Sequence, residues 1–140
     1  MNVKKLIVAI VVGYVVLMAT DWLIHDVWLM RDYAAVPDSW RPFADMQHKM
    51  WIMWVGEFIF AAAFAFIYAR GVESKPWIGQ GIRYGIVMTF MTVIPTSLGE
   101  YVIYRIPHML AVKWMVAGAI QLVILGLVVA GIYKKQAPNQ

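Results

Sequence analysis

Two ionisable side chains near the end of the first apolar stretch have the spacing of a local chemical pair. Asp21 and His25 are four residues apart, which places them on one face of an α-helix. A carboxylate beside an imidazole can handle protons or contribute to a metal site. In the structural alternative, the carboxylate orients the imidazole and both side chains cap a polar end of a helix bundle. Both interpretations remain open from the sequence.

Glu57 lies deep inside the second apolar stretch. It stands eight residues beyond Lys49, or about 12 Å along a helix axis. In a membrane such an acid needs a hydrogen-bond partner, a water-filled cavity or a proton. Glu57 could therefore be a coupling-proton site or a structural hydrogen bond between helices.

Glu100 follows a predicted break in the third apolar stretch. Pro95 removes one backbone hydrogen bond and clashes with the carbonyl group of Met91, so a kink is expected there. Hydroxyl groups such as those of Thr92 and Ser97 could satisfy the freed carbonyl groups. A broken membrane helix beside an acid can form a binding site, although a purely structural kink is the simpler alternative.

Histidine and methionine side chains could also bind a soft metal ion. Imidazole and thioether groups suit Cu(I), and the candidate ligands are His25, His48, His108, Met46 and Met50. Methionine at helical spacing is more often a packing residue. The absence of cysteine excludes disulfides, thiolate metal sites and covalent c-type haem. No cofactor is strongly implied.

The composition is typical of an integral membrane protein. The hydrophobic fraction is 62%, the mean hydropathy is +0.67 and charged residues make up 14%, whereas soluble domains are roughly half apolar and a quarter charged. The apolar stretches predict four transmembrane helices at residues 5–30, 49–69, 78–104 and 108–133, each able to cross ~30 Å of hydrocarbon. With 140 residues, the chain has room for one domain, 1–140, formed by an all-α bundle of these four helices.

Basic residues near the helix ends favour an orientation with both termini in the cytoplasm. The side with the termini and the second connection carries seven Lys or Arg residues, Lys135 included, and the other side carries five. The outer connection, residues 31–48, could form an interfacial cap through Trp40 and Phe43 or remain an ordinary polar loop. Pro42 is well placed to start the second span. Because the basic residues form no patch interleaved with exposed aromatic residues, nucleic acid is not an expected partner.

Short matches between the two halves are compatible with two parallel helical-hairpin repeats. An acid and an arginine are five residues apart at Asp26–Arg31 and again at Glu100–Arg105. Glu57 and Gln121 each stand eight residues after a lysine. Repeats of two spans would share one orientation in the membrane and bring Glu57 and Gln121 toward a common centre.

Small residues repeat along the third predicted helix. Such a stripe lets helix backbones approach closely in lipid, so it indicates either a tight bundle or docking onto a larger partner. Its members are Gly81, Gly85, Thr89, Thr92 and Thr96, and the fourth helix carries Gly126 and Ala130.

Four segments carry a resemblance to a protein group. They are Asp21-x-x-x-His25, Ser39-Trp40-Arg41-Pro42, Met50-Trp51-Ile52-Met53 and Gly81-Ile82-Arg83-Tyr84-Gly85. Together they resemble small four-helix bacterial inner-membrane proteins that are generally described as uncharacterised, which implies the fold and the location but no activity. Small multidrug transporters are similar in size, but they place a proton-coupled glutamate in the first helix, whereas the deep acid here is Glu57 in the second.

These features lead to three functional hypotheses. The first is a small multi-pass membrane protein that acts as a binding or accessory subunit of a membrane complex, with an outward-opening polar pocket lined by Asp21, His25, Glu57, Glu100 and Gln121. The second is a proton-coupled transporter or channel acting as a homodimer, and the third is a membrane metal-handling protein or enzyme. Because no motif of a soluble enzyme is present, we assign no catalytic residues and favour a non-enzymatic role. The expected partners are the lipid bilayer and either a second copy or a larger membrane complex.

Overall fold

The computed structural model describes residues 2–134, and every regular element in that range is helical. The four long helices are Val3–Trp28 (α1), Phe43–Arg70 (α3), Trp77–Ile103 (α4) and His108–Tyr133 (α5). A short helix, Met30–Ala34 (α2), and a 3-10 turn, Pro37–Ser39, lie between α1 and α3. Lys135, which contributes to the predicted orientation, lies outside the described residues.

Within residues 2–134, all four long helices are long and apolar enough to cross a membrane, which confirms the prediction of a multi-pass all-α protein. The largest difference from the expected boundaries is at α3, which begins at Phe43 rather than near residue 49. Pro42 precedes its first turn, where a missing N–H costs no hydrogen bond, and Asp45 forms ion pairs with Arg41 and Lys49. The 28 residues of α3 extend about 42 Å at 1.5 Å per residue, so its first turns reach beyond the hydrocarbon.

The long helices alternate in direction, which brings both described chain ends to the same end of the bundle. There, the Nζ atom of Lys5 donates a hydrogen bond of 3.2 Å to the carbonyl oxygen of Lys134. We call this the terminal end. The opposite, distal end holds residues 29–42 and 104–107, and these two connections are joined by a 2.7 Å hydrogen bond from Ser39 Oγ to the carbonyl oxygen of Arg105. Between the ends, α1 packs against α3 and α5, and α5 packs against α4.

The closest approach of two helices is between α4 and α5, and glycine permits it. A Cβ atom added at Gly85 would lie 2.5 Å from the carbonyl oxygen of Leu122, and one at Gly126 would lie 2.3 Å from the carbonyl oxygen of Gly81. These carbonyl oxygens belong to the helix backbone and cannot move aside for a Cβ atom. These members of the small-residue stripe therefore form an interface inside the chain itself.

Both α1 and α4 change to wider π-helical turns before they reach the distal end. These turns are Trp22–Trp28 in α1 and Thr89–Val93 in α4. The second precedes Pro95, as expected from the helix break predicted there. The hydroxyl of Thr92 donates a 2.7 Å hydrogen bond to the carbonyl oxygen of Met88, so a threonine side chain supports the irregular backbone as expected.

The terminal half of the bundle is closed by aromatic and small apolar side chains. Phe64 and Ala65 of α3 are fully buried. The hydroxyl of Tyr84 in α4 donates a 2.7 Å hydrogen bond to the carbonyl oxygen of Phe64, and the rings of Tyr68 and Tyr84 pack edge to face. These contacts hold α3 against α4 in this half.

The distal half is more open. Six consecutive residues of α3, Trp51–Gly56, are all exposed. Because a helix turns once every 3.6 residues, six exposed positions mean that no side of this segment is covered within the described chain. On α4, Val102 and Ile103 are 84% and 75% exposed. A cavity with Met46 of α3 and Glu100 of α4 in its wall lies between the distal parts of these helices, and we call the space between the two helices the cleft.

The connection from α1 to α3 forms a packed cap over the distal end of α5. Leu29 is fully buried in a cluster with Leu110 and Ala111. Asp32 accepts hydrogen bonds of 2.7 and 2.9 Å from Lys113 Nζ. The indole Nε1 of Trp40 donates to the carbonyl oxygen of Tyr33 at 3.1 Å. We call residues 29–42 the distal cap.

Candidate functional site

A cavity of about 730 Å³ lies at the distal end, a volume within the usual range of small-molecule sites. We call it the distal pocket. Every long helix and the distal cap contribute to its walls, which consist of Ile24, His25, Ser39, Trp40, Arg41, Met46, Glu100, Tyr104, Trp114, Ala117, Gly118 and Gln121. The cavity is therefore formed by the tertiary packing of the whole bundle.

The five polar residues expected to line a pocket are distributed over two neighbouring places. His25, Glu100 and Gln121 line the distal pocket. Asp21 lies behind Gln121, whose Nε2 atom donates a 2.7 Å hydrogen bond to the Asp21 carboxylate. Glu57 is not in the pocket wall, but its carboxyl group neighbours that of Asp21. Gln121 and Glu57 thus approach Asp21 from α5 and α3.

No hydrogen bond joins Asp21 to His25 within the described residues, although the Asp21 carboxylate lies close enough to interact electrostatically with the imidazole. Their hydrogen bonds go elsewhere in the described structure, to Gln121 from Asp21 and to Tyr33 from His25. Both partners come from outside α1, because Gln121 lies on α5 and Tyr33 in the distal cap.

Tyr33 of the distal cap connects two walls of the pocket. Its hydroxyl lies 2.5 Å from Nδ1 of His25 and accepts a 2.8 Å hydrogen bond from Nε1 of Trp114. Burial raises the pKa of Tyr33 to about 12, so the hydroxyl keeps its proton and can donate it to Nδ1 of His25. We assign the imidazole proton to Nε2 on this basis, which leaves the ring uncharged.

Glu100 contributes to the pocket a carboxyl group without a polar partner among the described residues. Within residues 2–134, no hydrogen bond or ion pair joins its carboxylate to another side chain. Arg41 also lines the pocket, but its guanidinium is bonded to Asp45 at 3.3 Å and its side chain is 68% exposed. A positive group on a ligand would therefore find its counter-charge at Glu100.

A second polar group lies between α1, α3 and α5, deeper than the pocket. Gln121 Nε2 bonds the hydroxyl of Thr20 at 2.8 Å and the carboxylate of Asp21 at 2.7 Å. Atom Oε2 of Glu57 is enclosed and has no hydrogen-bond partner within residues 2–134. The carboxyl groups of Asp21 and Glu57 are thus neighbours, with one oxygen of Glu57 enclosed between the helices.

The expected histidine and methionine ligands are not gathered at one place. His25 and Met46 both line the distal pocket, whereas His48, Met50 and His108 do not belong to its wall. Within residues 2–134, no group of three His, Cys, Asp or Glu side chains has a metal-binding arrangement. The residues that could approach a common ligand are therefore those of the distal pocket.

Several residues of the pocket were not identified from their sequence positions. The sequence predicts Trp40 only as part of an interfacial cap and does not single out Trp114, although both side chains stand in the pocket wall. No local pattern marks Tyr33 as a site residue, because its two partners, His25 and Trp114, are 8 and 81 residues away.

Comparison with known proteins provides no activity that could be carried over. No family model, curated protein or solved structure matches the chain. The functional conclusion therefore depends on the geometry of the distal pocket and of the Asp21–Glu57 pair.

Proposed function

We propose that this multi-pass membrane protein binds a small polar molecule or head group in the distal pocket and serves as a binding or accessory component of the membrane. The observation that carries the proposal is a cavity of about 730 Å³ that contains the unpaired carboxylate of Glu100. A charge without a partner is costly at the edge of a membrane, and a ligand would compensate it. Trp40 and Trp114 supply apolar contact area beside that charge.

The orientation is part of the same proposal. Seven basic residues against five favour a cytoplasmic location for the terminal end, in a bacterial cytoplasmic membrane. The distal pocket then opens outward. A second copy or a larger membrane complex could cover the exposed distal segment of α3, residues 51–56.

The first test is ligand binding with small soluble probes. Purified protein in detergent micelles is titrated with tetramethylammonium chloride, methyl phosphate or glycerol, and tryptophan fluorescence and the thermal unfolding midpoint are followed. We expect one probe class to raise the midpoint, and Glu100→Gln to change its affinity by about tenfold.

The matched control for this titration is Glu73→Gln. Glu73 is an exposed acid at the terminal end, paired with Lys75 and Arg83, and exposed ion pairs contribute little to stability. Probe binding should be unchanged in this variant. The proposal is wrong if neither these soluble probes nor amphiphiles that carry such head groups bind, or if both variants bind like the unmodified protein.

Proton-coupled transport is the second candidate, and the Asp21–Glu57 pair supports it. Carboxyl groups that share protons are a common device of membrane transporters. The enclosed Oε2 atom of Glu57 would be one site of proton exchange. Gln121 would connect Asp21 with the distal pocket, because it bonds Asp21 and also lines the cavity.

The transport hypothesis predicts that Glu57→Gln abolishes proton uptake. The assay uses proteoliposomes with a trapped pH-sensitive dye and an imposed membrane potential. The amide keeps the size of the side chain but removes its titratable proton. Asp26→Asn, which alters an exposed acid of α1, should leave uptake intact. Equal uptake by Glu57→Gln and the unmodified protein removes Glu57 from the mechanism.

A further inference from the structure

The side chains around Glu100 form an aromatic box. The ring of Trp40 lies 6.2 Å from that of Tyr104 and 6.2 Å from that of Trp114, measured between centroids. All three rings border the distal pocket together with Glu100. Aromatic faces attract organic cations through their quadrupoles, and such boxes recognise quaternary ammonium groups.

The box is held in place by the distal cap. Nε1 of Trp40 donates to the carbonyl oxygen of Tyr33, and Nε1 of Trp114 donates to the hydroxyl of the same residue. Both indoles therefore have their polar atoms satisfied by Tyr33. Fixed rings lose little conformational entropy when a ligand binds.

The charges around the box also favour a cation. Glu100 is without an ionic partner in the described chain, whereas Arg41 is paired with Asp45 at the exposed rim. The hydrogen bond from Tyr33 leaves the His25 ring uncharged. An anionic ligand would meet the Glu100 carboxylate without a strong compensating charge beside it.

Two of the pocket's wall residues belong to helices whose distal segments are exposed within the described chain. Met46 of α3 and Glu100 of α4 stand on its wall, and these two helices border the cleft described above. Glu100 lies three residues before the end of α4 at Ile103, or about 4.5 Å along the axis. A head group at this depth would be near the boundary of the hydrocarbon, with the exposed segment Trp51–Gly56 beside its tail.

We propose that the distal pocket binds the organic ammonium head group of an amphiphile, whose apolar tail lies in the cleft between α3 and α4. This inference rests on the proposed function, because it names the ligand class of the same pocket. Trp40, Tyr104 and Trp114 surround the ammonium group and Glu100 neutralises it. The ligand reaches the box laterally from the bilayer.

The test uses three photoactivatable amphiphiles with the same diazirine-bearing dodecyl chain and different head groups, namely trimethylammonium, sulfate and hydroxyl. The full chain is reconstituted in phosphatidylglycerol vesicles, irradiated and mapped by mass spectrometry. We expect saturable labelling of residues 51–56 and 94–104 by the trimethylammonium probe. Glu100→Gln and Tyr104→Leu should each weaken it about tenfold, whereas Glu73→Gln should not.

Several outcomes overturn this inference. One is equal labelling by the sulfate or hydroxyl probe, and another is unchanged labelling in both pocket variants. Cross-links between two copies across the cleft would assign that face to a dimer. If tetramethylammonium binds as tightly as the amphiphile and displaces it, the ligand is a soluble cation and the lateral route is wrong.

The soluble-probe titration separates the two proposals. If methyl phosphate or glycerol binds in a Glu100-dependent way while neither ammonium probe does, the pocket is a binding site for another class of ligand. If none of the soluble or amphiphilic probes binds, the proposed function and this inference are both wrong.

Discussion

Tyr33 shows how one side chain can organise a site whose parts are distant in the sequence. It bonds the imidazole of His25 and the indole of Trp114 through its hydroxyl, and the indole of Trp40 through its carbonyl oxygen. Burial is the main cause of its raised pKa, and the neighbouring carboxylates, Glu100 among them, add to it. The hydroxyl is thus a stable neutral donor and acceptor at physiological pH.

Tyr33→Phe should lower the stability of the distal cap by about 1–3 kcal/mol, because it leaves Nε1 of Trp114 without its acceptor. The pH dependence has a defined sign. The pKa of Tyr33 is about 12 in the folded chain and 10.0 in the reference state, so the unfolded form loses its proton first. The contribution to stability is complete below pH 10 and is lost as the pH rises toward 12.

This prediction is checked by thermal unfolding in detergent between pH 8 and pH 12. The unmodified protein should lose more stability across the alkaline part of this range than Tyr33→Phe does. Tyr101→Phe is the matched control, because Tyr101 is 44% exposed and the substitution is chemically identical. Similar pH profiles for all three proteins would contradict the assigned role of Tyr33.

Helix α4 combines a tightly packed half with an irregular half. Gly81 and Gly85 allow its terminal half to contact the backbone of α5. The π-helical turn Thr89–Val93 and Pro95 then interrupt the regular hydrogen bonding. Beyond this point α4 reaches Glu100 at the pocket wall, so the irregular segment links the close α4–α5 interface with the open distal half.

Gly85→Ala should destabilise the bundle by about 1–3 kcal/mol, because the new Cβ atom would overpack a backbone contact. It would lie 2.5 Å from the carbonyl oxygen of Leu122 and 2.6 Å from the Cα atom of Val123. Gly79→Ala is the control on the same helix, since its Cβ atom would meet nothing within 4 Å. That change should be neutral or stabilising by up to about 1 kcal/mol through helix propensity.

Unfolding midpoints of the two glycine variants in one detergent provide the comparison. A midpoint of Gly85→Ala that equals that of Gly79→Ala would show that α4 and α5 are farther apart than the described structure has them. The same measurement shows whether the small-residue stripe packs inside the chain or against a partner protein.

The molecule as a whole is closed at the terminal end and open at the distal end. Aromatic packing of Phe64, Tyr68 and Tyr84 joins α3 to α4 in the terminal half. In the distal half α3 stands apart from α4, and the distal cap covers α5. This asymmetry supports a pocket that receives ligands at one membrane face, and it places the Asp21–Glu57 pair where the closed part of the bundle begins.

The helical architecture and the membrane class could be predicted from the sequence, because both depend on local properties. Apolar stretches of sufficient length identify the four long helices, and Pro42 and Pro95 mark a helix start and an irregular turn through their own covalent geometry. The orientation in the membrane and the proposed internal duplication stay predictions. The intrinsic polarity of His25, Glu100 and Gln121 within apolar stretches also makes them site candidates from the sequence alone, and all three line the distal pocket.

Tertiary structure alone decided which of these polar groups meet and what surrounds them. Within the described chain, His25 and Asp21 form their hydrogen bonds with Tyr33 and Gln121 and not with each other. Trp114 enters the same network although it lies 81 residues from Tyr33. Hydropathy and helical spacing determine the length and the faces of single helices. Contacts between residues distant in the sequence depend instead on the relative positions of the helices, which irregular turns and close packing at glycine determine.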